Sequence, residues 1–575
     1  MSHSSVADAL VQTLIDAGAE RIYGVVGDSL NPITDAVRRS QGKLRWVHVR
    51  HEEAGAFAAS AEAQLSGKLA VCAGSCGPGH LHLINGLYDA HRSYAPVLAL
   101  VSHIPSEQIG TSYFQETHPE LLFRECSHFC EMVSNPKQAP RLFRLAARTA
   151  LAKGGVSAVV LPGDIAALDA AEDVPSSFST ALPVVRPADA ELDRLAALLN
   201  SASRVTVFCG SGCKGAHAEV LALAKALQSP VGHAYRGKEW VAYDNPYDVG
   251  MTGLLGYGAA YEAMHACDVL LLLGTDFPYD AFMPVKPHIA QVDVRPEHLG
   301  RRSRLDLGVC GDIRETLRAL LPRLEQKEDR RHLEDALEEL AKARRKLDTH
   351  VRNVGSHRPL HPEYVAALLD EVAADNAVFT VDTGMCNVWS ARYLRATAER
   401  RIIGSFTHGS MANALPQAIG AQLLYPDRQV ISMSGDGGFA MLMGDFLTLA
   451  QYDLPVKVVI FNNSSLGMVK LEMQVSGYPD TETDLVNPNF AKLAEAVGVM
   501  GQRVEAPGDV RGAFERALAH PGPALVDVVT DPHALSMPPR VTAKQVAGFA
   551  LAMTKLVFTG EGGEVLDTVE AQLHH

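Results

Sequence analysis

The strongest constraint on the fold is a recurring unit. A short β-branched or aliphatic run ends in Gly, Asp or Asn, and an Ala/Leu-rich stretch of helical length follows. The runs include LAVCAGSCGPG, SAVVLPGD, RVTVFCGSG, VLLLLGTD, AVFTVDTG, QVISMSGDG, VKVVIFNN and ALVDVVTD. EVLALAKALQ and PEYVAALLDEVAA are two of the helical stretches. A strand that is apolar along its whole length is buried on both faces, and strands of that kind alternating with helices build parallel sheets covered on both sides. The expected class is therefore α/β, with doubly wound sheets. In open sheets of this class a ligand lies beyond the carboxyl ends of the strands, which is where the Gly, Asp and Asn turns fall.

At 575 residues the chain is too long for one core. Two breaks divide it. AAEDVPSSFSTALPVVRPADAE, about 170–191, is rich in Pro, Ser and Asp and lacks periodicity, as a linker does. Near 325–360 the charge-dense EQKEDRRHLEDALEELAKARRKLD, expected to be a solvated helix, runs into NVGSHRPLHPEY. Three α/β domains are expected over 1–175, 185–335 and 355–530, with a tail over 531–575. The formal net charge of −14 argues against nucleic acid as a partner and for small molecules. The start lacks the basic-then-apolar pattern of a secretory signal, and no apolar run is long enough to span a bilayer. Nine cysteines, an odd number, suit a reducing cytoplasmic compartment. Three CxxxC pairs, Cys72/Cys76, Cys126/Cys130 and Cys209/Cys213, match neither zinc nor thioredoxin spacing and carry no expected site.

The chemistry concentrates in GDGGFAMLMGDFLTLAQYDLPVKVVIFNNSS, residues 435–465. Asp436 follows one strand, with Gly435, Gly437 and Gly438 beside it to admit a ligand close to the backbone. Asn463 follows the next strand, one helix later, and so reaches the same sheet edge. A carboxylate, an amide oxygen and a main-chain carbonyl form a hard oxygen set suited to Mg²⁺, which keeps further positions for water and phosphate. The plain alternative is two turns that are polar for no common purpose. In the middle of the chain Gly210, Gly212 and Gly215 spell GxGxxG between a strand and a helix, a dinucleotide-type turn on local chemistry but without an acidic residue about 20 positions on.

These motifs, with VRHEEAGAFAASAEAQLSGKLAVCAGSCGPG, SYFQETHPELLFRECSH, RGKEWVAYDNPYDVGMTGL and GSFTHGSMANALPQAIGAQ, resemble the thiamine-diphosphate enzymes of the acetolactate synthase/pyruvate oxidase group along essentially the whole chain. Within that group the likeness is nearest to the quinone-reducing pyruvate dehydrogenases. The resemblance implies a pyrimidine-binding first domain, a central FAD-binding domain and a third domain that binds diphosphate and Mg²⁺. It implies that Asp436, the Asn463 side chain and the Ser465 carbonyl hold Mg²⁺, with Gly437, Gly438, Ser464, Leu466, Gly467, Met468 and Val469 around the diphosphate. Glu52 would hydrogen-bond the aminopyrimidine ring and relay its proton, a task that burial of a carboxyl group favours; Glu53 is the alternative in the same stretch. Met411 would support the bent cofactor with Gly409 and Ser410 beside it, although a methionine can simply fill a core.

FAD would be met by Arg236, by Thr252, Gly253, Leu254 and Leu255, by Thr275, Asp276, Phe277, Pro278 and Tyr279, and by Asp293, whose carboxylate at a strand end suits a ribose hydroxyl. Phe114 and Gln115 match a substrate-side loop that meets the third domain of a neighbouring subunit. The chain departs from its relatives at Met385 and Cys386, and at Met468, where the quinone-dependent relative has phenylalanine. In the tail Val565, Leu566, Val569 and Leu573 form an apolar stripe, while Glu561, Glu564, Asp567 and Glu570 oppose anionic lipid, so peripheral membrane contact stands against a helix packed on the body.

The implied activity is oxidative decarboxylation of pyruvate, or a close 2-oxo acid, to acetate and CO₂, with electrons passed through FAD to a quinone. The implied assembly is a homodimer or homotetramer, cytoplasmic or peripheral on the inner face of the cell membrane. Alternatives are an O₂- and phosphate-dependent pyruvate oxidase making acetyl phosphate, a carboligase of acetolactate synthase type with a structural FAD, and, remotely, a non-catalytic nucleotide-binding regulator.

Overall fold

The computed structural model describes residues 4–170, 178, 183–352, 358–534, 551, 552 and 555. Half of the stretch expected as the first linker, and nearly all of the tail with its apolar stripe, lie outside those residues.

Three parallel-sheet units follow one another, as the alternation of apolar runs and helices requires. In the first, β1 (Arg21–Gly24), β2 (Arg45–His48), β3 (Ala70–Gly74), β4 (Val97–His103), β5 (Phe129–Met132) and β6 (Val156–Pro162) lie in the order β2-β1-β3-β4-β6-β5. The second contains β7 (Val205–Cys209), β8 (Val231–His233), β9 (Asp248–Met251), β10 (Tyr257–Gly258), β11 (Val269–Leu273), β12 (His288–Asp293) and β13 (Leu307–Cys310). Its order is β10-β9-β8-β7-β11-β12-β13, and β10 alone runs antiparallel, against β9. In the third, β14 (Val378–Val381), β15 (Arg401–Gly404), β16 (Val430–Gly435), β17 (Lys457–Asn462), β18 (Met500–Val504) and β19 (Ala524–Val529) repeat the first order, β15-β14-β16-β17-β19-β18. Every residue of β3, β4, β6, β7, β11, β14 and β17 is buried, which is why those runs are apolar without alternation.

Each sheet reverses its direction of growth between β1 and β3, between β7 and β11, and between β14 and β16, and the first and third sheets step back again at their far edges, at β6 and β19. At each reversal the loops leaving two neighbouring strands diverge to opposite faces and open a crevice. Asp436 and Asn463 follow β16 and β17 at the third of these edges.

The first and third units are locked together by the helices Glu52–Ser66 and Ala414–Leu424. The first is alanine-rich and buried nearly all round, so the second approaches its backbone closely; a Cβ on Gly420 would lie 2.1 Å from the Ala58 carbonyl oxygen. Their side chains join the two sheets' inner faces in one continuous apolar cluster. The charge-rich helix Arg331–Arg352 buries Leu333, Ala336 and Leu340 and leaves most of its charges facing solvent. Among the described residues no helix is long and apolar enough to cross a membrane.

Candidate active site

The third sheet's reversal opens a cleft. Thr383 and Gly384 reach it from the end of β14, Asp436 from the end of β16, and Asn463 and Ser465 from the end of β17. β16 and β17 pair in parallel with Gly435 opposite Phe461, so the two turns leave the sheet side by side. Met411, Leu466, Gly467, Met468 and Val469 line the same cleft, as do Met385 and Cys386. Gly438 is demanded by packing: a Cβ there would sit 2.4 Å from the buried Asp382 Oδ2.

Asp436 is buried, and burial pushes its carboxyl pKa up against the hydrogen bonds that hold it charged. Its Oδ1 accepts from the Gly437 amide at 2.9 Å. Its Oδ2 accepts from the Ser464 amide at 2.6 Å and from Asn487 Nδ2 at 2.7 Å. Ser464 achieves this with a left-handed φ of 51°. The paired asparagines have separate work. Asn462 is buried and donates to Asp527 Oδ1 at 2.8 Å, bracing β17 against β19, whereas Asn463 faces the cleft. Asn487 was not singled out from sequence. It also donates to Asn462 Oδ1 at 3.0 Å, and the surrounding strand-like segment clamps the turn through Leu466 N to Thr483 O and Leu485 N to Ser464 O, both 2.8 Å. Nothing local marks it; only its neighbour across the turn gives it a role.

Two buried hydroxyls on this cleft, Thr383 Oγ1 and Ser465 Oγ, have no hydrogen-bond partner. Unpartnered polar atoms in a protein interior point to a polar ligand. With the oxygen donors of Asp436, Asn463 and Ser465, the cleft fits a hard divalent cation carrying a phosphate group.

Gly409 and Ser410 are held to the turn that precedes them, Gly409 N to Ser405 O at 2.7 Å and Ser410 N to Ser405 Oγ at 3.0 Å. Ser410 Oγ accepts from Asn85 Nδ2 at 2.9 Å, and Asn85 also donates to Glu53 Oε1 at 2.7 Å. Glu53 is thereby committed to the joint between the first and third units. Glu52, the first residue of its helix, is 7% exposed, and its Oε2 lies 3.0 Å from His82 Nδ1. The geometry separates the two glutamates that the sequence leaves as alternatives. Neither lines the cleft of Asp436.

Phe114 and Gln115 stand elsewhere again. Phe114 is 77% exposed, and Gln115, at φ 64°, accepts from Cys76 Sγ at 3.1 Å above the end of β3. One copy of the chain therefore brings Asp436, Asn463, Ser465 and Met411 together but not Glu52, Phe114 or Gln115.

The second sheet's reversal brings the β7 turn against the β11 turn. A Cβ on Gly212 would meet Gly274 Cα at 2.7 Å, and one on Gly210 would meet Gly274 O at 2.4 Å, so contact between the turns accounts for both glycines. Thr275 lies buried at that edge. Thr252 is buried too, and its Oγ1 has no partner, which fits a polar ligand there. Gly253 takes φ 100° against the Phe277 ring, and Tyr279 packs edge-on to that ring. Leu254 and Pro278 are exposed, while Leu255 packs into the third unit's core. Asp276 is paired with Arg301 at 2.8 Å and Arg302 at 3.2 Å. Asp293, at the end of β12, is buried and accepts from the Arg295 amide at 2.9 Å. Arg236 bridges all three units, donating to Thr407 Oγ1 at 3.0 Å and Ser93 O at 3.3 Å. All nine cysteines are free thiols.

Three family models match the chain. They are the thiamine pyrophosphate enzyme N-terminal TPP binding domain over 4–121, the central domain over 192–320 and the C-terminal TPP binding domain over 382–528. The chain is 36% identical over 570 residues to a putative thiamine pyrophosphate-containing protein, YdaP, of Bacillus subtilis, covering 98% of each. It is 32% identical over 531 residues to a pyruvate oxidase of Lactiplantibacillus plantarum, covering 91% of this chain and 88% of that one. It is 31% identical over 559 residues to a probable acetolactate synthase large subunit of Methanocaldococcus jannaschii, covering 93% of each.

Proposed function

This chain belongs to the thiamine pyrophosphate enzyme family, and from that premise we propose that it oxidatively decarboxylates pyruvate, or a close 2-oxo acid, to acetate and CO₂, passing the electrons through FAD to a quinone. The observation that carries the reading is the meeting of Asp436, Asn463, Ser465 and Met411 on one cleft at the sheet reversal. When bound, thiamine diphosphate supplies the electron sink for loss of CO₂, Mg²⁺ anchors its diphosphate, and FAD supplies a two-electron acceptor.

The chain's own residues do the rest. Asp436, Asn463 and the Ser465 carbonyl hold the cation, and Gly437, Gly438 and Ser464 bring backbone close to the diphosphate. Met411 shapes the floor beside Gly409 and Ser410. Glu52, buried at the start of its helix, holds a proton at its carboxylate against a ring nitrogen. Phe114, Gln115 and Met468 flank the 2-oxo acid. Thr252, Thr275, Asp293 and Arg236, with the turns around them, hold FAD.

Because Glu52, Phe114 and Gln115 do not line the cleft of their own chain, a second copy supplies them and the working unit is at least a homodimer. Exposed apolar side chains on both contributing units, Phe114, Leu121 and Leu122 on one and Met441, Met443 and Leu447 on the other, support that assembly. A cytoplasmic place, with peripheral membrane contact through the tail, completes the proposal.

A second reading draws on the pyruvate oxidase and acetolactate synthase relatives: release of acetyl phosphate with O₂, or carboligation beside a structural FAD. The test is anaerobic pyruvate added to protein loaded with thiamine diphosphate, Mg²⁺ and FAD. Bleaching of the flavin followed by fast reoxidation with a quinone is expected. A flavin that stays oxidised while CO₂ and a carbon–carbon-bonded product appear would overturn the redox reading.

A further inference from the structure

His51, Glu52 and His82 stand apart from the oxygen-lined cleft and form a second constellation. One ring nitrogen of each histidine and a carboxylate oxygen of Glu52 all lie within 4.8 Å of one another. The His51 and His82 rings are stacked, with centroids 4.3 Å apart and planes inclined by 24°. His82 Nδ1 already lies 3.0 Å from Glu52 Oε2, close to the separation of two ligand atoms around a tetrahedral ion.

Access and charge agree with this. The His51 and His82 side chains are 36% and 45% exposed, so a hydrated ion can reach them, while Glu52 beneath is buried. His51 caps its helix by accepting from the Glu53 amide at 3.3 Å, a long hydrogen bond that an ion readily replaces. Among the described residues this is the one cluster of three His, Cys, Asp or Glu side chains with such spacing. Its donor set, two imidazoles and one carboxylate, selects a borderline ion over Mg²⁺. The Asp436, Asn463 and Ser465 set selects the reverse.

We propose that His51, Glu52 and His82 form an inhibitory divalent-cation site for Zn²⁺ or an ion of like character. The binding claim stands on the cluster alone; the inhibition rests on the reading of Glu52 as the residue that holds the cofactor ring, because an ion there occupies the same carboxylate.

Cofactor-stripped protein dialysed against Zn²⁺ should bind about one ion per chain, and His82→Ala and His51→Asn should each weaken that binding about tenfold or more. Millimolar Mg²⁺ should leave it unchanged. Circular dichroism of both variants establishes that they are folded, and the milder His51→Asn keeps the test open should His82→Ala fail to fold. Undiminished Zn²⁺ binding in a folded variant overturns the site. Thiamine diphosphate with Mg²⁺ should release the Zn²⁺ from the wild-type protein. Zn²⁺ retained beside bound cofactor would overturn the inhibition and the role of Glu52, while leaving the binding result to judge the cluster.

Discussion

Asn487 Nδ2 donates to Asp436 Oδ2 at 2.7 Å, across 51 residues of chain. The same nitrogen holds Asn462 Oδ1 at 3.0 Å, so one amide fixes the acidic turn after β16 relative to the asparagine turn after β17. The proposed cation donors are placed by a residue that need not touch the cation.

Asn487→Ala should therefore leave the fold intact and weaken the cleft. Leaving buried acceptors unpaired costs about 1–3 kcal/mol, so the Mg²⁺ concentration for half-maximal cofactor binding should rise roughly tenfold. Mg²⁺ titration followed by the near-ultraviolet circular dichroism of bound thiamine diphosphate checks this. An unchanged midpoint would remove Asn487 from the site.

Glu52→Gln should bind cofactor yet lose roughly a hundredfold or more in turnover, the usual share of a proton-transferring side chain. Glu53→Gln should act mainly on stability, since Glu53 joins Asn85 at the contact between units. CO₂ release and thermal denaturation, measured on both variants, separate the two roles. Equal loss of turnover would refute the assignment.

Mixing tests whether Glu52 and Asp436 of one site come from different chains. Glu52→Gln and Asp436→Asn proteins, each inactive alone, should regain about one quarter of wild-type activity when dissociated together and reassembled as random dimers. No recovery in verified mixed dimers would mean that each site is built within one chain.

Gly420→Ala puts a methyl group where 2.1 Å separates it from the Ala58 carbonyl oxygen, so the helices must part. Overpacking of this kind costs about 1–3 kcal/mol. Differential scanning calorimetry should show a lower Tm for the cooperative unit that contains the first and third sheets.

Asp89 gives a pH signature. Burial lifts its carboxyl from 3.8 to about 6, against hydrogen bonds from Ser405, Ser60 and Gln417 that hold it down. The folded state thus binds the proton more tightly than the unfolded chain, so this residue's contribution to stability is present below about pH 4 and is lost as pH rises to about 6. Asp89→Asn should flatten that decline by up to about 1.4 kcal/mol per pH unit, read from urea unfolding at pH 4 to 7. An identical slope would place the proton elsewhere.

Much of this protein was legible in one dimension. Unbroken apolar runs between helices determined the doubly wound sheets, because a strand covered on both faces has no polar side to show. The turns bearing Asp436 and Asn463 could be put at one sheet edge, because strand–helix–strand connectivity returns each parallel strand to the same end. Tertiary structure decided the rest. Local pattern could not tell Glu52 from Glu53; burial against Gly79 and His82 for one, and a bond to Asn85 for the other, did. Nor could it give Asn462 its bond to Asp527, explain Gly210 and Gly212 by a turn that arrives from β11, or find Asn487 at all. In each case the deciding partner lies tens of residues away, and only packing brings it within the few ångströms over which hydrogen bonds and van der Waals contacts act.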